Sequence, residues 1–155
     1  MGIRIKSLES GDAAVLQHIA PGVFDDPIIP AAAAEFLADP RHHMVVALDE
    51  DAVVGFVSAV HYVHPDKPAP ELWVNELGVA PTHRGRGLAR ELLGALFRVA
   101  RDLGCSEAWV LADGANRSAL SAYTKSGGIR APRDQVMLTF RLDEARGPHQ
   151  RGGEG

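Results

Sequence analysis

Apolar and polar residues alternate along residues 3–8 (I-R-I-K-S-L), and this two-residue period predicts a first strand. Ser10-Gly11-Asp12 offers a helix start, and a short helix is expected from there through Ala20. Pro21, Pro27 and Pro30 break the pattern around Phe24-Asp25-Asp26, which reads as a loop. Pro30 then opens a second helix over 31–38, because a proline in the first turn removes an N–H that no helical carbonyl would have bonded. Asp39-Pro40 ends it. Two β-rich runs, 44–48 and 52–62, flank Asp49-Glu50-Asp51 and predict a hairpin. A stiff, proline-rich loop over 64–70 leads into an apolar run at 72–79.

The longest periodic stretch comes next. Leu88, Leu92, Leu93, Leu96, Val99, Ala100 and Leu103 recur at helical spacing, so residues 87–103 are expected to form a helix with one apolar face. Gly104 stops it, just past the last turn. A strand over 108–112, a helix over 116–126 closed by Gly127-Gly128, and a last strand over 135–142 complete the pattern. This order predicts a single-domain, mixed α/β fold over residues 1–142, with helices flanking a central sheet. Residues 143–155 are polar and glycine-rich and read as a disordered tail.

Composition narrows function more than fold. The 155 residues, 46% hydrophobic and 23% charged, suit one soluble domain with a real core. No apolar run approaches the roughly 18–20 residues of a membrane span, and no leader-like segment stands at residues 1–5, so a cytoplasmic protein is expected. A single cysteine, Cys105, excludes an intrachain disulfide framework and reads as a core residue rather than a nucleophile. The net charge of −4 is unevenly spread. Residues 1–80 carry 12 Asp/Glu and 4 Lys/Arg, whereas residues 81–155 carry 8 and 12. The positive half suits an anionic cofactor and the negative half a cationic co-substrate. No basic stripe interleaved with aromatics appears, which speaks against nucleic acid. His42, His43, His61 and His64 lack the spacing of a metal site, and no metal is expected.

The chemistry concentrates in residues 72–89, L-W-V-N-E-L-G-V-A-P-T-H-R-G-R-G-L-A. A strand runs into a basic turn punctuated by Gly85 and Gly87, and a helix begins there. Glycines let backbone approach a ligand closely, and a helix start presents free N–H groups with the positive end of its dipole behind them. The spacing is neither that of a nucleotidase phosphate loop nor that of a dinucleotide fold. A plain connection with a solvated basic cap is the competing reading. A second motif, Asn116-x-x-Ala119-x-x-x-Tyr123, lies on the helix about thirty residues further on.

Arg84-x-x-Gly87-x-Ala89 resembles the pyrophosphate loop, [RQ]-x-x-G-x-[GA], of the GNAT superfamily of acyl-CoA N-acetyltransferases, and the Asn116–Tyr123 pattern resembles that family's N-x-x-A-x-x-x-Y helix. The likeness covers residues 3–142 and departs where the family reads L-G-F and this chain has Ser126-Gly127-Gly128. It implies the GNAT fold and direct transfer of acetyl from acetyl-CoA to a primary amine. Arg84, Gly85, Arg86, Gly87, Leu88, Ala89 and Asn116 would then bind the cofactor, with Asn116 also reading as a helix cap. Backbone groups of Leu77 and Val79 would pair with its pantetheine arm, and the Val79 N–H would face the charge developing on the acyl oxygen. Tyr123 would be the acid for the leaving thiolate; packing of its helix is the other reading. Glu76 is expected to be the base, part-buried with a raised pKa, with Glu71 or a water relay as alternatives. Further segments, including 71–79, Ala112-Asp113 and Tyr123-Thr124-Lys125, resemble the aminoglycoside 3-N-acetyltransferase class. That implies a small cationic acceptor held by Asp25, Asp26, Glu76 and Asp113, and family precedent for homodimers. A protein or peptide amine is the alternative acceptor.

Overall fold

The computed structural model describes residues 2–143. Its centre is a five-stranded sheet in the order β1-β2-β3-β4-β5: β1 Arg4–Ser7, β2 His42–Asp49, β3 Ala52–Tyr62, β4 Glu71–Val79 and β5 Glu107–Val110. The first four pair antiparallel, and β5 joins β4 in parallel after the crossover through a helix. The three helices are α1 Pro30–Ala38, α2 Leu88–Asp102 and α3 Arg117–Lys125. The segment expected as a first helix closes instead into a 3-10 turn, Ala13–Gln17. It carries one fully inserted apolar side chain, Leu16, too little to stabilise a longer helix.

The core lies between the sheet and α2. Leu88, Leu92, Leu93, Ala95, Leu96 and Ala100 are buried on one face of that helix, as the sequence spacing predicts, while Val99 is half-buried and Leu103 exposed. They meet β2 and β3, whose central residues Val45, Val46, Val53, Val54 and Val57 are nearly inaccessible. Gly55 sits under Leu92 Cδ1, which a Cβ there would approach to 3.2 Å. The opposite sheet face is covered over β2 and β3 by α1 and the loop before it; Phe36 stacks on His42, and Phe24 on Phe56. Gly78 is essential to this arrangement, since a Cβ at that position would lie 2.3 Å from the Val23 carbonyl oxygen.

Two irregularities shape the functional end. In β4, Ser58 of β3 pairs with Glu76 and Ala59 with Val74, so Asn75 is an extra residue bulged out of the ladder. And β5 follows β4 only from Glu71 to Val74, leaving the last five residues of β4 without a partner on that side.

The expected last strand over 135–142 does not form. Residues 129–142 pair with no strand, and Val136, Leu138, Phe140 and Leu142 are between 74% and 92% exposed. Strand-like side chains do not by themselves make a pairing; β5 offers an edge of only four residues, and no other described strand pairs with it there. Of the expected tail, residues 144–155 lie outside the described residues.

Candidate active site

Where β4 and β5 part, a cleft of about 500 Å³ opens. One wall is the free end of β4, Asn75 to Val79; the floor is the glycine turn and first turn of α2; the far wall is the loop after β5 and α3. Gly85 and Gly87 both adopt left-handed backbone (φ 77° and 78°), which turns the chain sharply into α2 with Gly87 as N-cap. No side chain caps that helix start, so its first N–H groups are available to an anion. Arg84 and Arg90 line the same space, although the Arg84 Nε also donates to the Val79 carbonyl at 3.2 Å.

On the far wall, Asn116 caps α3: its Oδ1 accepts from the Ala119 N–H at 3.1 Å. Asp113 orders the preceding loop by accepting from the Ala115 N–H at 2.8 Å. Tyr123 projects from α3 into the cleft, half-buried, and its hydroxyl has no hydrogen-bond partner among the described residues. Burial raises its pKa above the usual 10, so the phenol remains a proton donor across the neutral range.

Leu77, Val79, Arg84, Gly85, Gly87, Leu88, Ala89, Asn116, Tyr123, Glu76, Asp25 and Asp113 all line the cleft. Arg86 and Asp26 do not: Arg86 reaches back to the Thr82 carbonyl (3.5 Å) and lines a separate hollow beside α2, and Asp26 faces a neighbouring hollow under the 3-10 turn. Glu76 departs from expectation in a different way. Its side chain is exposed at the mouth of the cleft, not part-buried, because the sheet face it occupies lies beyond the cover of α1.

Residues 14–128 match the acetyltransferase (GNAT) family. The chain belongs to that family. Among its relatives, the N-alpha-acetyltransferase RimI of Mycobacterium tuberculosis is 34% identical over 101 residues, 64% of this chain and 63% of RimI. The uncharacterised N-acetyltransferase YycN of Bacillus subtilis is 29% identical over 114 residues, 72% of this chain and 67% of YycN. The chain thus spans about two thirds of the length of these relatives. Among solved structures, an aminoglycoside acetyltransferase from an uncultured soil metagenomic sample, in complex with sisomicin, superposes with TM-score 0.74 at 20% identity, covering 90% of this chain and 96% of that one. The aminoglycoside N-acetyltransferase AAC(6')-Iy in complex with CoA gives 0.69 at 20% identity, covering 92% and 95%. At such identities the likeness is one of fold.

In this GNAT chain, the left-handed glycines, the uncapped start of α2 and the nearby guanidinium groups fit the pyrophosphate of an acyl-CoA. One contributor escaped the sequence reading. His83, in the turn itself, pairs its Nε2 with Asp49 Oδ2 at 2.7 Å and so ties the turn to the β2–β3 hairpin. Nothing local could reveal a partner 34 residues upstream. Elsewhere, His43 Nε2 meets His61 Nδ1 at 2.7 Å and His64 Nε2 meets Glu71 at 2.8 Å, while the buried His42 Nδ1 has no hydrogen-bond partner among the described residues. Burial, then the nearby His61 and His42, lower the His43 pKa to about 4. No group of three or more candidate ligands positioned for a metal occurs among the described residues. No helix among them is long and apolar enough to cross a membrane.

Proposed function

We propose that this GNAT acetyltransferase moves acetyl from acetyl-CoA to a primary amine of a small polycationic acceptor, an aminoglycoside or a close chemical relative. The observation that carries the reading is the polarity of one cleft: Arg84 and Arg90 on the side of the α2 start, and three carboxylates, Asp25, Glu76 and Asp113, around the rest, with Lys125 at the end of α3 the one further Lys or Arg in the lining. Such a field draws an anion to one side and an ammonium to the other. Residues 84, 85 and 87–89 with Asn116 would hold the cofactor's phosphates, and the unpartnered backbone of Leu77 and Val79 would align its pantetheine arm. Bound acetyl-CoA supplies the activated acyl group.

The protein's own steps are then proton transfers. Glu76 takes a proton from the acceptor's ammonium, directly or through water, and the neutral nitrogen then bonds to the acyl carbon. As the carbon–sulfur bond breaks, the nitrogen gives up a second proton to solvent or to the phenolate left on Tyr123. Tyr123 delivers a proton to the sulfur. The Val79 N–H faces the acyl oxygen as it gains charge. Exposure of Glu76 favours the water route, since bulk solvent reaches its carboxylate.

The likeness to RimI supports a second reading, in which the acceptor is the N-terminal amine of a peptide. The deciding experiment measures free-thiol release from acetyl-CoA with sisomicin and other aminoglycosides, spermidine, and peptides with free N-termini. Turnover of aminoglycosides above peptides is expected, with the product acetylated at the 3-amino group by NMR. A peptide turned over while every aminoglycoside stays inert would replace the first reading with the second; acetylation at the 6'-amino group would correct the position alone.

A further inference from the structure

We propose that the uncovered sheet face beside the cleft is a second acceptor subsite, in which Trp73 and Trp109 form a shelf for a distal aminosugar ring and Glu71 and Glu107 hold its ammonium. This rests on the reading of the acceptor as a small polycation and extends it beyond the reacting amine.

The shelf begins with register. Trp73 of β4 is the parallel partner of Trp109 of β5, and Glu71 that of Glu107, so all four side chains point to one face. The indoles stack at 5.3 Å with planes 8° apart, and each keeps more than a third of its surface exposed. They are held in place: Trp109 Nε1 donates to the Tyr62 hydroxyl at 2.5 Å, and Tyr62 donates to Glu71 Oε2 at 2.9 Å. Stacking turns one indole face toward the other and leaves outer faces and edges to solvent; an outer face held by these hydrogen bonds suits the carbon-bound face of a ring and attracts a cation.

Charge then selects among ring-bearing ligands. Glu71 and Glu107 stand in register at the end of the shelf, close enough for their carboxyl groups to interact. Two acids side by side repel unless a proton or cation lies between them. Hydrogen bonds from His64 and Tyr62 both fall on Glu71 Oε2 and hold Glu71 below the usual carboxylate range, so it stays charged. The exposed Glu107 beside it is the carboxylate that turns to an ammonium from solvent.

The shelf is also continuous with the cleft. Glu76 pairs with Ser58 and Trp73 with Val60, and Ser58 and Val60 share one face of β3. Glu76 and Trp73 therefore face the same way, two ladder steps apart, about 7 Å along the strand. Without the extra residue at Asn75 they would point to opposite faces. An acceptor whose amine reaches the mouth of the cleft can set a second ring against the stacked indoles.

The chain has two tryptophans, both in the shelf, so their emission reports the site directly. Titration of the protein without acetyl-CoA is expected to give a saturable emission change with sisomicin, weaker changes with spermidine and with neutral trehalose, and a loss of the sisomicin response in Glu107→Gln. In turnover, Trp109→Ala should raise the KM for sisomicin about tenfold while leaving the KM for acetyl-CoA and the kcat for the single-ring amine glucosamine within twofold, and Trp109→Phe should restore most of the loss. Sisomicin turnover with an unchanged KM in Trp109→Ala would overturn the subsite and leave the proposed reaction standing. If no aminoglycoside is acetylated, the proposed acceptor fails, and emission alone decides the subsite: no saturable response to sisomicin overturns it. A tetralysine peptide that shifts emission at lower concentration than sisomicin overturns the aminosugar assignment. Should Trp109→Ala not fold, Glu107→Gln and Trp109→Phe carry the same test.

Discussion

The two sides of the cleft are built in opposite ways. The cofactor side is contiguous chain, backbone-made and basic: a turn with two left-handed glycines, then a helix start that nothing caps. The proposed acceptor side is discontinuous and made of side chains, with Asp25 from a loop, Glu76 from β4 and the indole pair from β4 and β5. A contiguous backbone device tolerates almost any side chain between its glycines. A discontinuous surface depends on registers and loop positions that hold only if the whole sheet is correct. One consequence is that substitutions should separate the two sides cleanly in kinetics.

The largest effect is expected where the sides meet. Tyr123→Phe should lower kcat about 100-fold, within the usual range for losing a positioned acid, with acetyl-CoA affinity nearly unchanged by calorimetry. The direction of its pKa adds a second signature. A phenol raised above 10 keeps its proton through pH 10, so the wild-type rate should lose this contribution only beyond that value. In the phenylalanine variant that alkaline loss should vanish. An unchanged kcat would end the acid assignment.

Next comes Gly78→Ala, which places a Cβ 2.3 Å from the Val23 carbonyl oxygen and 2.9 Å from the Phe56 ring. The loop carrying Asp25 must move, at a cost of about 1–3 kcal/mol in urea unfolding, and the acceptor KM should rise while that of acetyl-CoA holds. The smallest effect is expected from Gly87→Ala. Nothing lies within 4 Å of its Cβ, so only the left-handed backbone is penalised, by about 1 kcal/mol. Here the acetyl-CoA KM should rise several-fold and the acceptor KM stay put. If both glycine variants shifted both constants alike, the separation of the two sides would be wrong.

The same contrast explains what the sequence disclosed. The glycine turn, the apolar face of α2 and the Asn116–Tyr123 helix are local, and each appears in its expected element. Glu76 was legible as a carboxylate in a strand, but not as an exposed one, because its cover depends on how far α1 extends over the sheet. The bond between His83 and Asp49 and the alignment of Trp73 with Trp109 need a register that no single segment encodes. Residues 135–142 show the converse failure, since a strand-like sequence pairs with no edge of the described sheet.

The bulge at Asn75 has a consequence for reading relatives of this chain. It reverses the parity of the strand: upstream, the odd positions 71 and 73 take the sheet face of the proposed acceptor, and downstream the even positions 76 and 78 do. A gap misplaced by one residue in β4 would therefore exchange acceptor-facing residues for core ones over half the strand. In this chain, the phase of the two faces of β4 is set by that single residue.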